Sequence, residues 1–165
     1  VTPDTSPRWL TPDQEQAWLA LVAALIWLPA AIDAQLQRDA EVTHAEYNVL
    51  SWLSMSPGRT ARMSEIAAAA NVSLSHLSRI ATRLERRGWL RRAPDPQNGR
   101  ATLASLTDAG WDKVVSAAPG HAEEVQRLVF DNLTPEQVGQ LQRISETIVR
   151  AARPGHRPKL PERDR

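Results

Sequence analysis

Between Arg79 and Arg100 the chain carries seven arginines, at 79, 83, 86, 87, 91, 92 and 100, against only Glu85 and Asp95. That net of +5 sits in a 165-residue chain whose total is +1 at pH 7, so everything outside the stretch sums to −4. A guanidinium is a permanently charged planar fork, suited to a phosphate or to the O6/N7 edge of guanine. A local basic surface on a near-neutral chain is the footprint of phosphate neutralisation, whereas a merely solvated face mixes signs. The chemistry these residues offer is recognition of nucleic acid rather than bond making.

The elements that must position them follow from periodicity. From Leu74 to Arg87, at about 100° per residue, Leu74, Leu77, Ile80, Ala81 and Leu84 share one side of a helix. Ser75, His76, Arg79, Thr82, Arg83 and Arg86 cover the opposite arc, so one face packs and the other is free to bind. Ser73 is a short oxygen-bearing N-cap, and Asn71 suits a tight bend after a preceding helix, Ser64 to Ala70. The alanines of that helix let two helices approach closely. Gly88 ends the helical period, and Trp89 to Arg92 and Arg100 to Leu106 read as strands around Asp95-Pro96-Gln97-Asn98-Gly99. Asn98-Gly99 is expected to supply the positive φ of a tight hairpin. A helix-turn-helix followed by a basic hairpin is the outline of a winged helix-turn-helix.

These residues resemble the MarR family of bacterial transcriptional regulators, from about Thr11 to Ala152. The wing and the helix start after it, D-P-Q-N-G-R-A-T-L-A-S-L-T-D-A-G from Asp95 to Gly110, are similar to the family's D-x-R-D-x-R wing and L-T-x-x-G. Asp95, Arg100, Leu106, Thr107 and Gly110 match; Gln97 and Asn98 replace an arginine and an aspartate. The resemblance implies a mainly α fold with a small β wing, a winged helix-turn-helix with flanking dimerisation helices. The expected divisions are a flexible arm over 1–10, dimerisation helices over 11–42 and 107–152, the DNA-binding domain over 43–106, and a basic tail over 153–165. Relatives often bind small aromatic or phenolic molecules where dimer helices meet the DNA-binding lobe; a pocket here would draw on Trp27, His44, Tyr47, Trp52 and Trp111. Buried aromatics are more often core than pocket.

Along the chain, residues 1–10 have two prolines and lack the order of a signal peptide. Thr11-Pro12-Asp13-Gln14 is a capping box that opens a helix. Sixteen mostly apolar residues follow, Ala17 to Ile32, short of the roughly 20 needed to span a bilayer and broken by Pro29. A helix apolar nearly all round is otherwise buried on two sides, and Trp18 and Trp27, half a turn out of phase, fit one contact within the chain and one with a second copy. A homodimer is therefore expected, with no membrane partner and a cytoplasmic location. Thr43-His44-Ala45-Glu46 and Thr134-Pro135-Glu136-Gln137 are further capping boxes, the latter opening a helix with Val138, Leu141, Ile144 and Ile148 on one stripe. Pro119-Gly120 is expected to interrupt the helix that starts at Thr107. The tail from Arg153 to Arg165 is proline-rich and net +3.

No cysteine occurs, which removes disulfides, thiolate zinc sites and cysteine-based peroxide sensing. His121-Ala122-Glu123-Glu124-Val125 lacks the second histidine of HExxH, no G-x-S-x-G occurs, and the histidines at 44, 76, 121 and 156 do not cluster at ligand spacing. The expectation is a protein without enzymatic activity, cofactor or metal. Its partner is double-stranded DNA: Ser73, Ser75, His76 and Arg79 for the major groove, Arg62, Arg83, Arg86 and Arg91 for phosphates, and Asp95, Gln97, Asn98 and Arg100 on the wing for the minor groove. The expected function is a sequence-specific repressor on a pseudo-palindromic operator, released by a small aromatic effector. Two other readings stay open: a non-specific architectural DNA binder, and a winged helix that docks another protein.

Overall fold

A computed structural model describes residues 7–153. Among these residues six α-helices and three strands follow in the order α1 (Pro12–Ala40), α2 (His44–Ser54), β1 (Thr60–Arg62), α3 (Met63–Ala70), α4 (Leu74–Arg86), β2 (Leu90–Asp95), β3 (Asn98–Leu106), α5 (Asp108–Leu128) and α6 (Pro135–Ala152), with short 3-10 turns at Pro57–Arg59 and Phe130–Asn132. The strands form one antiparallel sheet in the order β1-β3-β2. The chain is thus mainly helical with a small wing. Of the expected arm only residues 7–10 are described, with Trp9 82% exposed; the expected tail beyond Arg153 lies outside the described residues.

All three threonine capping boxes form: Thr11, Thr43 and Thr134 each accept the backbone N–H three residues on, and Gln14, Glu46 and Gln137 reach back to the cap. Each satisfies two of the amide donors that a helix start leaves orphaned.

One core gathers Leu50, Leu53, Ile66, Leu77, Leu84 and Ala104 from α2, α3, α4 and β3, with Val114 of α5 closing it. A second, smaller core of Ile32, Leu36, Ala40, Val42, Tyr47 and Ala117 lies where α1, α2 and α5 meet. Gly110 sits tightly against the chain leaving α4: a Cβ there would stand 2.1 Å from the carbonyl oxygen of Trp89. Only glycine lets the first turn of α5 seat against the chain leaving α4.

Several expectations are corrected. β1 is an additional strand, three residues long, paired with β3 through Thr60 opposite Ser105. Asn98-Gly99 is not the hairpin turn: neither has positive φ, and both belong to β3. The turn is Pro96-Gln97, held by the Asp95 carboxylate accepting the Gln97 N–H at 2.9 Å. This aspartate turn replaces the αL geometry that Asn-Gly would supply. Pro119 does not interrupt α5, which runs unbroken to Leu128. Its missing N–H frees only the carbonyl of Val115, and both residues are exposed, so water can satisfy that group. Pro29 is likewise absorbed within the 29 residues of α1.

The length of α1 also corrects the argument against a membrane span. By length and composition α1 is able to cross a bilayer, and only 6% of its apolar window is buried within the chain. Its burial inside the protein is confined to the last three turns, at Ile32, Gln35, Leu36 and Ala40. Trp18, Leu19, Leu25, Ile26 and Trp27 stand 54–73% exposed.

Candidate nucleic-acid interface

The helix-turn-helix is built at α3 and α4. Asn71 closes α3 in the left-handed region, at φ 51° and ψ 44°. Ser73 caps α4, its Oγ accepting the His76 N–H at 3.2 Å and lying 3.1 Å from Ser75 Oγ. Leu77, Ile80, Ala81 and Leu84 are buried. Leu74, expected on that face, is 54% exposed, because the first residue of the helix lies beyond the edge of the core. Ser75, His76, Arg79, Arg83 and Arg86 are all exposed along one side, and Arg79 Nη2 lies 3.4 Å from His76 Nδ1.

Three ion pairs set the pose of this face. Arg83 Nε donates to Glu46 Oε1 at 2.8 Å. The Glu46 carboxylate also accepts the Thr43 N–H, so one side chain joins the start of α2 to the last turn of α4. Burial pushes the Glu46 carboxyl up, but the bonds from Arg83 and Thr43 outweigh it and hold the group below the usual carboxylate range. Arg92 on β2 clamps the sheet to α4: its guanidinium donates to Glu85, to Ser78 Oγ at 3.2 Å and to Thr82 Oγ1 at 3.0 Å. Arg62 Nε donates to Asp95 Oδ2 at 2.8 Å, tying the wing to the start of α3. The Gln97 amide, followed by Arg62, holds the Asp95 carboxyl below its ordinary range.

These pairings correct part of the site expectation. Asp95 is buried and turned inward, so it latches the wing and presents nothing to a groove. Arg62 and Arg83 spend Nε on carboxylates; with side chains 41% and 48% exposed, their terminal nitrogens are what remains for a phosphate. Arg86, Arg91 and Arg100 are exposed, and Gln97 and Asn98 lie at the exposed wing tip. Asn98 Oδ1 accepts the Arg100 N–H at 3.2 Å, which shapes the strand beside the tip. A cleft of about 350 Å³ separates Arg100, Ala101 and Thr102 from Ser64, Leu74 and Ser78, so the wing and the start of α4 form two walls of one basic surface.

Sequence spacing did not reveal the bracing residues Glu46, Glu85 and Arg92. Glu46 carries a signal as the closing residue of a capping box, three positions after Thr43, but its bond to Arg83 spans 37 positions.

The five residues expected to line an effector pocket do not share one cavity: His44 and Tyr47 both lie near His121 beside the second core, while the three tryptophans face elsewhere. Trp27 is 73% exposed on α1 and borders an apolar groove with Leu128, Leu133 and Leu141. Tyr47 is buried in the second core against His121, at 4.7 Å between ring centres. Trp52 faces a separate groove between α2 and α3, and Trp111 packs on the first core beneath the Arg59 guanidinium, 4.0 Å away. Helix periodicity places aromatics on faces, and these faces point to different neighbours.

The half-buried imidazoles of His44 and His121, the latter against Tyr47 of the second core, have a pH consequence. Burial lowers His44, with Asp33 partly opposing it, and burial followed by the charge of His44 lowers His121. The unfolded chain therefore binds more protons than the folded one in the window below the ordinary value of 6.5, and stability falls as pH falls through it. The thermal midpoint is expected to drop between about pH 7.5 and about pH 5.5, and His121→Gln should flatten that dependence. An unchanged midpoint would mean the rings are not held neutral.

Comparison with known proteins agrees with this architecture. Residues 42–102 match the MarR family model. The fold is similar to a MarR family transcriptional regulator from Streptomyces coelicolor solved in complex with DNA, with 39% identity and a TM-score of 0.86 over 92% of this chain and 96% of that one. AbsC, another MarR family transcriptional regulator from Streptomyces coelicolor, is 32% identical with a TM-score of 0.83, over 88% of this chain and 98% of its own. The HTH-type transcriptional repressor IacR of Pseudomonas putida is 31% identical over 59% of this chain and 57% of its own length. The fold and the exposed arginine helix define a winged helix-turn-helix DNA-binding protein. The chain belongs to the MarR family of transcriptional regulators.

Proposed function

We propose that the chain is a homodimeric, sequence-specific repressor that places its two α4 helices in successive major grooves of a pseudo-palindromic operator, with half-sites about one helical turn apart. The observation that carries this reading is the exposed face of α4, where short polar side chains sit beside Arg79 near the helix start. Ser75, His76 and Arg79 read base edges, with Ser73 capping the helix beneath them. Arg86 and Arg91 hold phosphates, helped by the outer nitrogens of Arg62 and Arg83, and Arg100 carries the wing to the minor groove with Gln97 and Asn98 beside it.

Residues 43–106 serve as the reading domain, and 11–42 with 107–152 as the dimer helices. A second copy covers the bare face of α1 together with the α6 stripe, which accounts for an apolar helix outside a bilayer. The similarity to IacR supports repression rather than activation. Work on chromosomal DNA places the protein in the cytoplasm. Release by a small aromatic molecule requires a pocket completed by the second copy, since within one chain only His44 and Tyr47 lie near each other and Trp27, Trp52 and Trp111 face different neighbours. Such a ligand must bind the DNA-incompetent state more tightly.

Selection from a pool of random duplexes at two salt concentrations tests the reading. Recovery of a two-fold motif supports it; salt-sensitive binding without a motif would mean an architectural binder, and no binding would leave a protein-docking module. Within a recovered motif, Arg79→Ala is expected to cost about 1–3 kcal/mol and relax preference at one position. Arg86→Ala should instead weaken all sequences alike and reduce the salt slope by about 1. Identical specificity ratios for the two variants would overturn the assignment of roles.

A further inference from the structure

Leu74 is the first residue of α4, and while Leu77, Ile80 and Leu84 of the same helix are buried, Leu74 stands 54% exposed. It lies one turn before Ser78, so the two share the edge of α4 that faces the wing. There Leu74 lines the cleft of about 350 Å³ together with Ser64, Ser78, Arg100 and Thr102. Its backbone is held in place: the Ser73 hydroxyl caps the first turn at the His76 N–H and lies 3.1 Å from Ser75 Oγ. An apolar side chain is thus fixed at the start of the reading helix, between the outer face of α4 and the wing.

The surroundings of Leu74 select what covers it. Arg100 on the wing and Arg79 on the outer face of α4 are both exposed, with Ser75 and Asn98 beside them. A protein surface apolar enough to bury Leu74 would strip water from these guanidinium groups without supplying a counter-charge. A DNA duplex offers phosphates to the arginines and one apolar group on its major-groove edges, the C5-methyl of thymine. Adenine, guanine and cytosine present only donors and acceptors along those edges.

We propose that Leu74 is a specificity-determining residue that reads a thymine through its methyl group, on the wing side of the half-site contacted by α4. This rests on α4 being the DNA-reading helix. The contact adds to the hydrogen bonds offered by Ser75, His76 and Arg79, and it distinguishes thymine by shape and apolarity rather than by charge.

The test uses the full chain and a duplex carrying the motif recovered from the random pool, with each thymine of the half-sites replaced in turn by deoxyuridine. That exchange removes the methyl and keeps base pairing and the O4 acceptor. The parent is expected to bind roughly four-fold more weakly when the thymine facing Leu74 loses its methyl in one half-site, and roughly 15-fold more weakly when both half-sites lose it. Leu74→Ala should bind the thymine and deoxyuridine duplexes alike, since protein and base changes that remove one contact are not additive. Leu74→Met, which keeps an apolar side chain of similar reach, should retain the preference for thymine. Indifference of the parent to deoxyuridine at every thymine overturns the proposal without any variant. A Leu74→Ala chain that binds every duplex more weakly yet keeps the parent's thymine preference overturns it too, the result if Leu74 only props the wing against α4. A pool that yields no motif would instead overturn α4 as a sequence reader, a failure distinct from indifference to the methyl on a recovered motif.

Discussion

Leu25→Glu in α1 and Ile144→Glu in α6 are each expected to convert the protein to a monomer and to weaken operator binding by roughly 10²-fold or more. Both side chains are more than half exposed in the single chain, at 63% and 58%, so a carboxylate at either position costs the protomer little. In the proposed dimer the same carboxylate is buried in an apolar interface without a partner, which association cannot tolerate. The loss in affinity follows from bivalency: with two linked readers, the second half-site is met at a high effective concentration, and a monomer forfeits that gain of about 10²–10⁴. Sedimentation gives the oligomeric state and a binding titration the affinity. A variant that remains dimeric and binds as the parent does would show that this face is not the dimer seam. Reversion of α1 to a membrane role would be signalled by vesicle binding that Leu25→Glu abolishes.

The contrast between what could and could not be read from the sequence has a physical origin. Cap signals and helical faces were legible because they depend on residues three or four positions apart: Thr11, Thr43, Thr134 and Ser73 all cap where spacing places them. The exposed arc of α4 followed from the same local rule. Hidden from spacing was which arginines are already committed. Arg62, Arg83 and Arg92 look like Arg86 and Arg91 in sequence, yet their carboxylate partners are Asp95, Glu46 and Glu85, two of them more than 30 positions away. Their charge is largely spent on holding the reading face in place. β1 was illegible because three residues carry no period, and its identity comes from β3 across the sheet. Pro119 misled because the rule against proline in helices concerns one lost bond and one clash, which an exposed face of a well-packed helix can absorb.

Gly110→Ala is expected to destabilise the fold by about 3 kcal/mol or more, with loss of DNA binding only as a consequence of unfolding. The added methyl would stand 2.1 Å from the Trp89 carbonyl oxygen, 2.7 Å from Leu106 Cδ1 and 2.9 Å from the Trp89 carbonyl carbon. A side-chain neighbour could rotate away, but two of these atoms are backbone. That backbone is fixed from both sides: the Trp89 carbonyl accepts the Thr107 N–H at 3.1 Å, and the Thr107 hydroxyl donates to the Gly88 carbonyl at 2.6 Å. Relief of the clash therefore requires moving the start of α5 away from the end of α4, which opens the first core at Val114 and Leu90. Gly99→Ala is the matched control, since nothing lies within 4 Å of its added methyl and its φ is not positive; its thermal midpoint should stay close to the parent's. Urea melts of the two variants measure the difference directly. If Gly110→Ala melts within about 1 kcal/mol of the parent, then α5 does not seat on the Trp89 backbone, and the join between the reading lobe and the long helix is looser than the structure places it.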